Sequence, residues 1–196
     1  MLTLKGRSFL ITQDETGRWS NRAQDAITLE PYDPRWADQF SNERRAIREC
    51  VDLSIPLVIE HVGSTAVPDL PSKPIIDILI GASVQDWPAI VEALKRIAYV
   101  HWEDNPEPDR EFLVKGMPPF GIRRTHHVHI GEVGGRLWER ILFRDYLRHH
   151  AQDRIAYADL KRRLAADYPH DREAYTNGKD ELVADIMTRA RVWRRA

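Results

Sequence analysis

The chain has 196 residues, 42% apolar and 30% charged, which suffices for one domain with a buried core. Its formal net charge of −1 gives no global electrostatic case for a nucleic acid or an anionic membrane as partner. The single cysteine, Cys50, excludes an internal disulfide and a cysteine-built zinc cluster.

Residues 1–26 read as an N-terminal arm that mixes β-type residues with Gly, Asp, Asn and Ser, and Arg7 to Thr12 is expected as a short edge strand. The arm lacks the apolar centre of a signal peptide and no later run could span a membrane, so a cytoplasmic protein is expected. Asp33-Pro34 opens a helix with Asp33 as N-cap and Pro34 at the first helical position. Trp36, Phe40, Ile47 and Val51 recur at helical spacing and mark its buried face. Leu57 to Val62 reads as a buried strand, followed by a tight Gly63-Ser64 turn, a proline-punctuated connection and a second buried strand ending at Ile80. Asp86 and Pro88 start a second helix, with Ile90, Val91, Leu94 and Ile97 facing inward.

Tyr99 to Trp102 and Glu111 to Lys115 are expected as strands on either side of an acidic loop, Glu103 to Asp109. Gly116 to Gly121 is a second loop, and His126 to Ile130 a short strand. Beyond the turn at Gly131 to Gly135, three helices are expected. Their stripes are Trp138, Ile141, Leu142 and Tyr146, then Tyr157, Leu160, Leu164 and Tyr168, then Val183, Ile186, Met187 and Ala190. The sum is an α/β (α+β) domain over 27–196: a small mixed sheet flanked by helices in 27–135, and a C-terminal helical part in 136–196. The basic run Lys161, Arg162, Arg163 and the tail Arg189 to Arg195 read as solvated helix faces, with a polyanion-binding face as the alternative.

The chemistry concentrates around Asp77, an isolated carboxylate in a run of Ile and Leu. Such a group is costly to bury unless it is paired, hydrogen-bonded or bound to a cation. The Gly63-Ser64 turn offers backbone N–H groups and a hydroxyl without bulk, which suits a phosphate. Together they read as a phosphate-and-metal corner. Lys73 lies in the connection to the same corner, and Arg110 is a plausible anion clamp. His127 and His129 share one face of an extended strand, a spacing that serves one metal or a substrate. Glu60, His61 and Glu111 stand near strand ends. Plain structural roles compete at each position: a turn hydroxyl for Ser64, a hydrogen bond to the Ser64 or Thr65 region for Asp77, solvation for Lys73. An ion pair with Asp109 or Glu107 competes for Arg110, and helix packing for Arg144, Arg148, Tyr175 and Lys179. Cys50 has no adjacent base and reads as a packing residue.

The string from His61 through Gly63-Ser64-Thr65-Ala66-Val67-Pro68 to Ile80 closely resembles the signature of the GrpB (UPF0157-like) family, small bacterial proteins placed in the nucleotidyltransferase superfamily. Arg110-Glu111-Phe112, His127-Val128-His129, Phe143 to Arg148, Tyr157 to Lys161 and Tyr175 to Lys179 extend the likeness, which runs from about Ile27 to Ala190. The resemblance implies a nucleotidyltransferase-like core. In that superfamily a Gly-Ser turn precedes a strand bearing two acids one residue apart, with a third acid on a neighbouring strand. Alternate strand residues face one side, so such acids hold divalent metals against a nucleotide triphosphate. Here the turn is Gly63-Ser64, the first acid is Asp77, and the second position is Leu79, which has no metal-binding atom.

The implied activity is metal-assisted nucleotidyl or phosphoryl transfer on a nucleotide or other phosphorylated small molecule. Asp77, His127 and His129 are then expected as catalytic and metal-ligating residues, and Gly63, Ser64, Thr65, Lys73, Arg110 and Lys179 as substrate contacts. A divalent metal is implied, and a mixed Asp/His set suits Mn²⁺ or Zn²⁺ better than Mg²⁺. Some GrpB-like domains occur fused to dephospho-coenzyme A kinase, which brings coenzyme A-type ligands into view. The leucine at position 79 supports a second expectation, a non-catalytic nucleotide- or coenzyme-binding module. A nucleic-acid partner is not expected, because no aromatic residues interleave with the basic ones. The sequence is compatible with an oligomer and does not specify one.

Overall fold

The computed structural model of the protein describes residues 26–103 and 109–195, together with four two-residue strands nearer the N-terminus. Those strands form two antiparallel pairs, β1 (Thr3–Leu4) with β2 (Arg7–Ser8) and β3 (Thr12–Gln13) with β4 (Trp19–Ser20). Of the expected edge strand from Arg7 to Thr12, Arg7–Ser8 lie in β2 and Thr12 in β3, and residues 9–11 lie outside the described residues, as do residues 104–108 of the acidic loop.

Helix α1 (Arg35–Cys50) begins one residue later than expected, with Pro34 rather than Asp33 as the cap residue, and Asp33 Oδ1 accepts the Arg35 N–H at 2.9 Å. Trp36 and Ile47 bury on the sheet with Val51 just past the helix end. Next come β5 (Val58–Val62), a 3₁₀ turn (Ser64–Ala66), β6 (Ile76–Gly81) and helix α2 (Trp87–Arg96). The α/β part closes with β7 (Tyr99–His101), β8 (Glu111–Lys115) and β9 (His126–Gly131). These strands form one mixed sheet in the order β5-β6-β9-β8-β7, antiparallel throughout except for the parallel pair β6–β9.

One face of this sheet carries Ile59, Ile76, Ile78, Ile80, Leu113, Val128 and Ile130 into a core with α1 and α2. The opposite face is covered by α3 (Glu139–His149), α4 (Ala151–Asp167), α5 (Arg172–Asn177) and α6 (Asp180–Trp193). Strands buried on both faces read as near-continuous apolar runs, and β6 is such a strand. The helical part has four helices where the stripes give three. The fourth, α5, is too short to show a period and is started by Asp171, whose side chain accepts the Ala174 N–H at 2.9 Å. Tyr168, expected on the inner stripe of α4, instead sits past its C-terminus and is 41% exposed.

Three contacts join the two faces around the Gly63 turn. Val62 and Leu79 pack against Leu137 ahead of α3. The Trp138 ring lies over Gly81, where any side-chain carbon would collide with it. From α3, Arg144 donates to Glu60 and to the His61 carbonyl, both at 2.7 Å, and to Asp145, while Arg148 donates to the Ala66 carbonyl at 2.9 Å. A further strap runs from the N-terminal side: Ile27 N–H donates to Pro169 O at 2.9 Å, and Glu30 pairs with Ser72 through both backbone bonds. No helix among the described residues is long and apolar enough to cross a membrane.

Arg144 is only 8% exposed, and its replacement leaves a buried carbonyl and a half-buried Glu60 unsatisfied. Arg144→Met is expected to cost about 2 kcal/mol, the range for losing buried hydrogen bonds to a charged group. Urea unfolding checks this as a lowered midpoint at unchanged slope.

Candidate functional site

The ladder between β6 and β9 builds the site. Asp77 pairs with His127 and Leu79 with His129, and β8 adds Phe112 opposite His129. Residues paired across a ladder project to one side, so these side chains share the face under the C-terminal helices. His127 Nδ1 lies 3.0 Å from Asp77 Oδ1. A carboxylate only accepts, so Nδ1 carries the proton and Nε2 keeps the lone pair. That Nε2 is buried without a hydrogen-bond partner. Phe112 stacks on the His129 ring at 4.9 Å and meets the His127 ring edge-on at 5.3 Å. Arg110 Nη1 approaches His129 Nδ1 at 3.4 Å; a guanidinium only donates, so His129 carries its own proton on Nε2.

Burial holds both imidazoles below the usual histidine range, His129 the further because Arg140 adds a like charge and His127 the less because Asp77 opposes. Both rings are neutral at pH 7. Burial pushes the Asp77 carboxyl up, but the His127 hydrogen bond and nearby positive charge more than offset it, and the group lies below the ordinary carboxylate range. Gly63, at φ +73°, brings its backbone against Asp77, where a side-chain carbon would run into Asp77 Oδ2.

Above this floor lies a cavity of about 670 Å³ between the sheet and the helices. Gly63, Ser64 and Lys73 line one wall; Arg140 and Phe143 of α3, Tyr157 and Lys161 of α4, Tyr175 of α5 and Lys179 face them. Tyr157 and Ser64 meet across this cavity, and burial pushes the Tyr157 phenol up to about 12. The ammonium groups of Lys179 and Lys73 sit 4.2 and 5.2 Å from the Tyr175 ring centre, and neither has a hydrogen-bond acceptor among the described residues. Lys161 is 3% exposed and donates to the Pro71 carbonyl. Burial pulls Lys73 down to about 7, helped by Arg172 and Lys179. The same cause, with Lys179 and Lys73 beside it, brings Lys161 to about 7, and burial brings Lys179 to about 8 against the pull of Asp180. Three desolvated amines, two of them without an acceptor among the described residues, are an arrangement that can receive an anion.

Of the residues that the sequence singles out, Gly63, Ser64, Lys73, Asp77, His127, His129 and Lys179 meet at this cavity. Tyr175 lines it too, whereas Thr65, His61, Glu111, Glu60 and Arg110 do not. Thr65 lies beneath the turn, where it bonds His61 Nε2 at 3.0 Å and the Ile75 carbonyl at 3.3 Å. His61 projects to the opposite face and stacks on Phe40 at 4.7 Å. Glu111 is on that face too, paired with His101 at 2.7 Å. Glu60 is held by Arg144, and Arg110 stands behind His129.

Lys161, Tyr157 and Arg140 are additions from the structure. Lys161 is not part of a solvated basic run: it stands four residues after Tyr157 and three before Leu164, on the inner stripe of α4. That spacing was the available signal. Among the described residues no three His, Cys, Asp or Glu side chains cluster as metal ligands. Asp77 and His127 are spent on each other, His129 Nδ1 faces Arg110, and Leu79 is sealed by Val62 and Leu137. This donor set does not fit a two-metal centre.

A family model described as GrpB protein matches residues 26–189. The chain is 51% identical over 175 residues to a UPF0157 protein of Pseudomonas aeruginosa, covering 88% of this chain and 71% of that one. It is similar in fold to the crystal structure of the conserved protein GrpB from Enterococcus faecalis, with TM-score 0.75 and 30% identity, over 85% of this chain and 99% of that chain. A more distant match, 28% identical over 195 residues, is a dephospho-CoA kinase of Mycolicibacterium paratuberculosis; it covers 87% of this chain and 47% of that protein.

The lysines set a pH signature. Their folded values of about 7 to 8 lie below the 10.5 of an exposed lysine, so between those limits the unfolded chain binds more protons and stability rises with pH. The thermal midpoint of the ligand-free protein is expected to climb from pH 7 to pH 9.5. Lys161→Met is expected to raise the midpoint at pH 7 and to flatten the climb, as scanning calorimetry at fixed ionic strength will read.

Proposed function

The chain belongs to the GrpB family, and from that premise we propose that its cavity binds a nucleotide or other phosphorylated small molecule and performs proton-transfer chemistry on it. The observation that supports this most is the pair of acceptor-less ammonium groups on Tyr175, beside the buried Lys161, above an Asp–His pair. Lys161, Lys179 and Arg140 neutralise the phosphates in a water-poor site, where such contacts are strong. Asp77 fixes the His127 tautomer and steadies the imidazolium that forms when Nε2 takes a proton, the arrangement of a general base with its orienting carboxylate. Phe112 holds both imidazole rings in place.

A second reading, a binding module without turnover, is favoured by Leu79 at the second acid position. The two part company on metal and on the base. Thermal unfolding across ATP, CTP, GTP, UTP, coenzyme A and dephospho-coenzyme A, each with Mg²⁺, Mn²⁺, Zn²⁺ or EDTA, identifies the ligand class. The dephospho-CoA kinase likeness is the reason for including the coenzymes. A ligand at 100 times its Kd stabilises by about 2.7 kcal/mol. We expect a shift that survives EDTA and weakens about 10-fold or more in affinity in Lys161→Met, the loss of one charge-assisted contact. His127→Gln is expected to keep the shift and abolish turnover of the ligand found. No shift with any phosphorylated compound would end the proposal, and unchanged turnover in His127→Gln would leave only the binding module.

A further inference from the structure

The chain has 23 arginines and six lysines, yet three of those six lysines line one cavity. For gripping phosphate alone, arginine is the better residue: it stays charged and offers a planar fork of donors. Lysine differs in one chemical respect, since its amine can lose a proton and become a nucleophile when it is desolvated or set beside other cations. A chain with nearly four arginines for every lysine has therefore gathered half of its convertible amines at one cavity.

The three are not equivalent. Lys161 is committed to the Pro71 carbonyl. Lys179 stands at the start of α6 with Asp180 beside it. Lys73 belongs to the connection that leads through Pro74 into β6, four residues before Asp77, and its amine has no acceptor among the described residues. The groups facing it are Arg172, Lys179, Arg124 and Lys161 on the positive side and Asp77 on the negative side, with the Tyr175 ring beneath. Each positive neighbour disfavours a charge on Lys73, and so does its burial, which holds it near 7.

We propose that Lys73 is a nucleophilic amine that forms an imine with the carbonyl carbon of a phosphorylated aldehyde or ketone, held by its phosphate against Lys161 and Lys179. The step balances without an oxidant. The neutral Nζ attacks the carbonyl carbon and a C–N bond forms. A proton moves from nitrogen to the former carbonyl oxygen, and the carbinolamine then loses that oxygen as water to leave C=N. His127 Nε2 is the base on hand for a proton next to the iminium carbon, which the imine makes acidic.

The proposal rests on the phosphate-binding reading above, and the two fail separately. Pyridoxal 5′-phosphate and pyridoxal serve as probes, each trapped with cyanoborohydride and located by peptide mass mapping, with and without excess pyrophosphate. The expected result is labelling of Lys73 at least 10-fold faster than Lys95 with the phosphorylated probe, lost with pyridoxal, suppressed by pyrophosphate, and absent in Lys73→Arg. Because Lys73→Arg keeps the cation, its midpoint should still rise with pyrophosphate, which shows that it is folded and binding. Equal labelling of all six lysines, or preferential labelling of Lys161 or Lys179, would overturn the assignment. A midpoint shift by pyrophosphate without preferential Lys73 labelling removes the imine and leaves phosphate binding standing. Absence of both removes the two together.

Discussion

A carboxylate on an interior strand, buried among isoleucines, has to be compensated on every side, and the arrangement around Asp77 is the response to that demand. The neighbouring strand answers with an imidazole at 3.0 Å. The preceding turn answers with a glycine, because only a residue without a side chain fits against the carboxylate oxygen. The helical layer answers with the amines of Lys161 and Lys179 at a greater distance. Each response would be unfavourable alone: a buried lysine cluster repels itself, and a buried imidazole with an idle nitrogen wastes a hydrogen bond. They are stable as a set because the sheet and the helices on both sides are held by apolar packing that does not depend on them.

How far the site could be read from the sequence follows from the same geometry. Period-2 alternation puts His127 and His129 on one face whatever the partner strand, so that relation was legible. The isolated Asp77 in an apolar run was legible as a group in need of a partner. Which face a strand turns to the cavity is a property of register between strands distant in sequence. His61 and Glu111 therefore stood as further candidates beside Asp77, and the β5–β6 and β8–β9 ladders put them on the other side. Lys161 was hidden by its neighbours, since Arg162 and Arg163 made it look like part of a solvated run although it shares a stripe with Tyr157 and Leu164. Helix α5 went unread because six residues are fewer than two turns of any period.

Leu79 faces the same side of the sheet as Asp77 and packs with Val62 and Leu137 into a small apolar plug. The polar chemistry lies at the end of β6 nearer Asp77, where Arg140, Lys161 and Lys179 join it from the helical side. The GrpB chain thus sets lysine and arginine side chains of its own around the carboxylate on its sheet.

The strap at residues 27–30 has a consequence for handling and for evolution alike. It is hydrogen-bonded at one end to Pro169, just ahead of the helix that carries Tyr175, and at the other to Ser72, next to Lys73. Residues 27–30 thereby join the segment ahead of α5 to the segment ahead of β6, both of which border the cavity. A pull on this strap reaches the mouth through two short seams, so the strap is mechanically a drawstring.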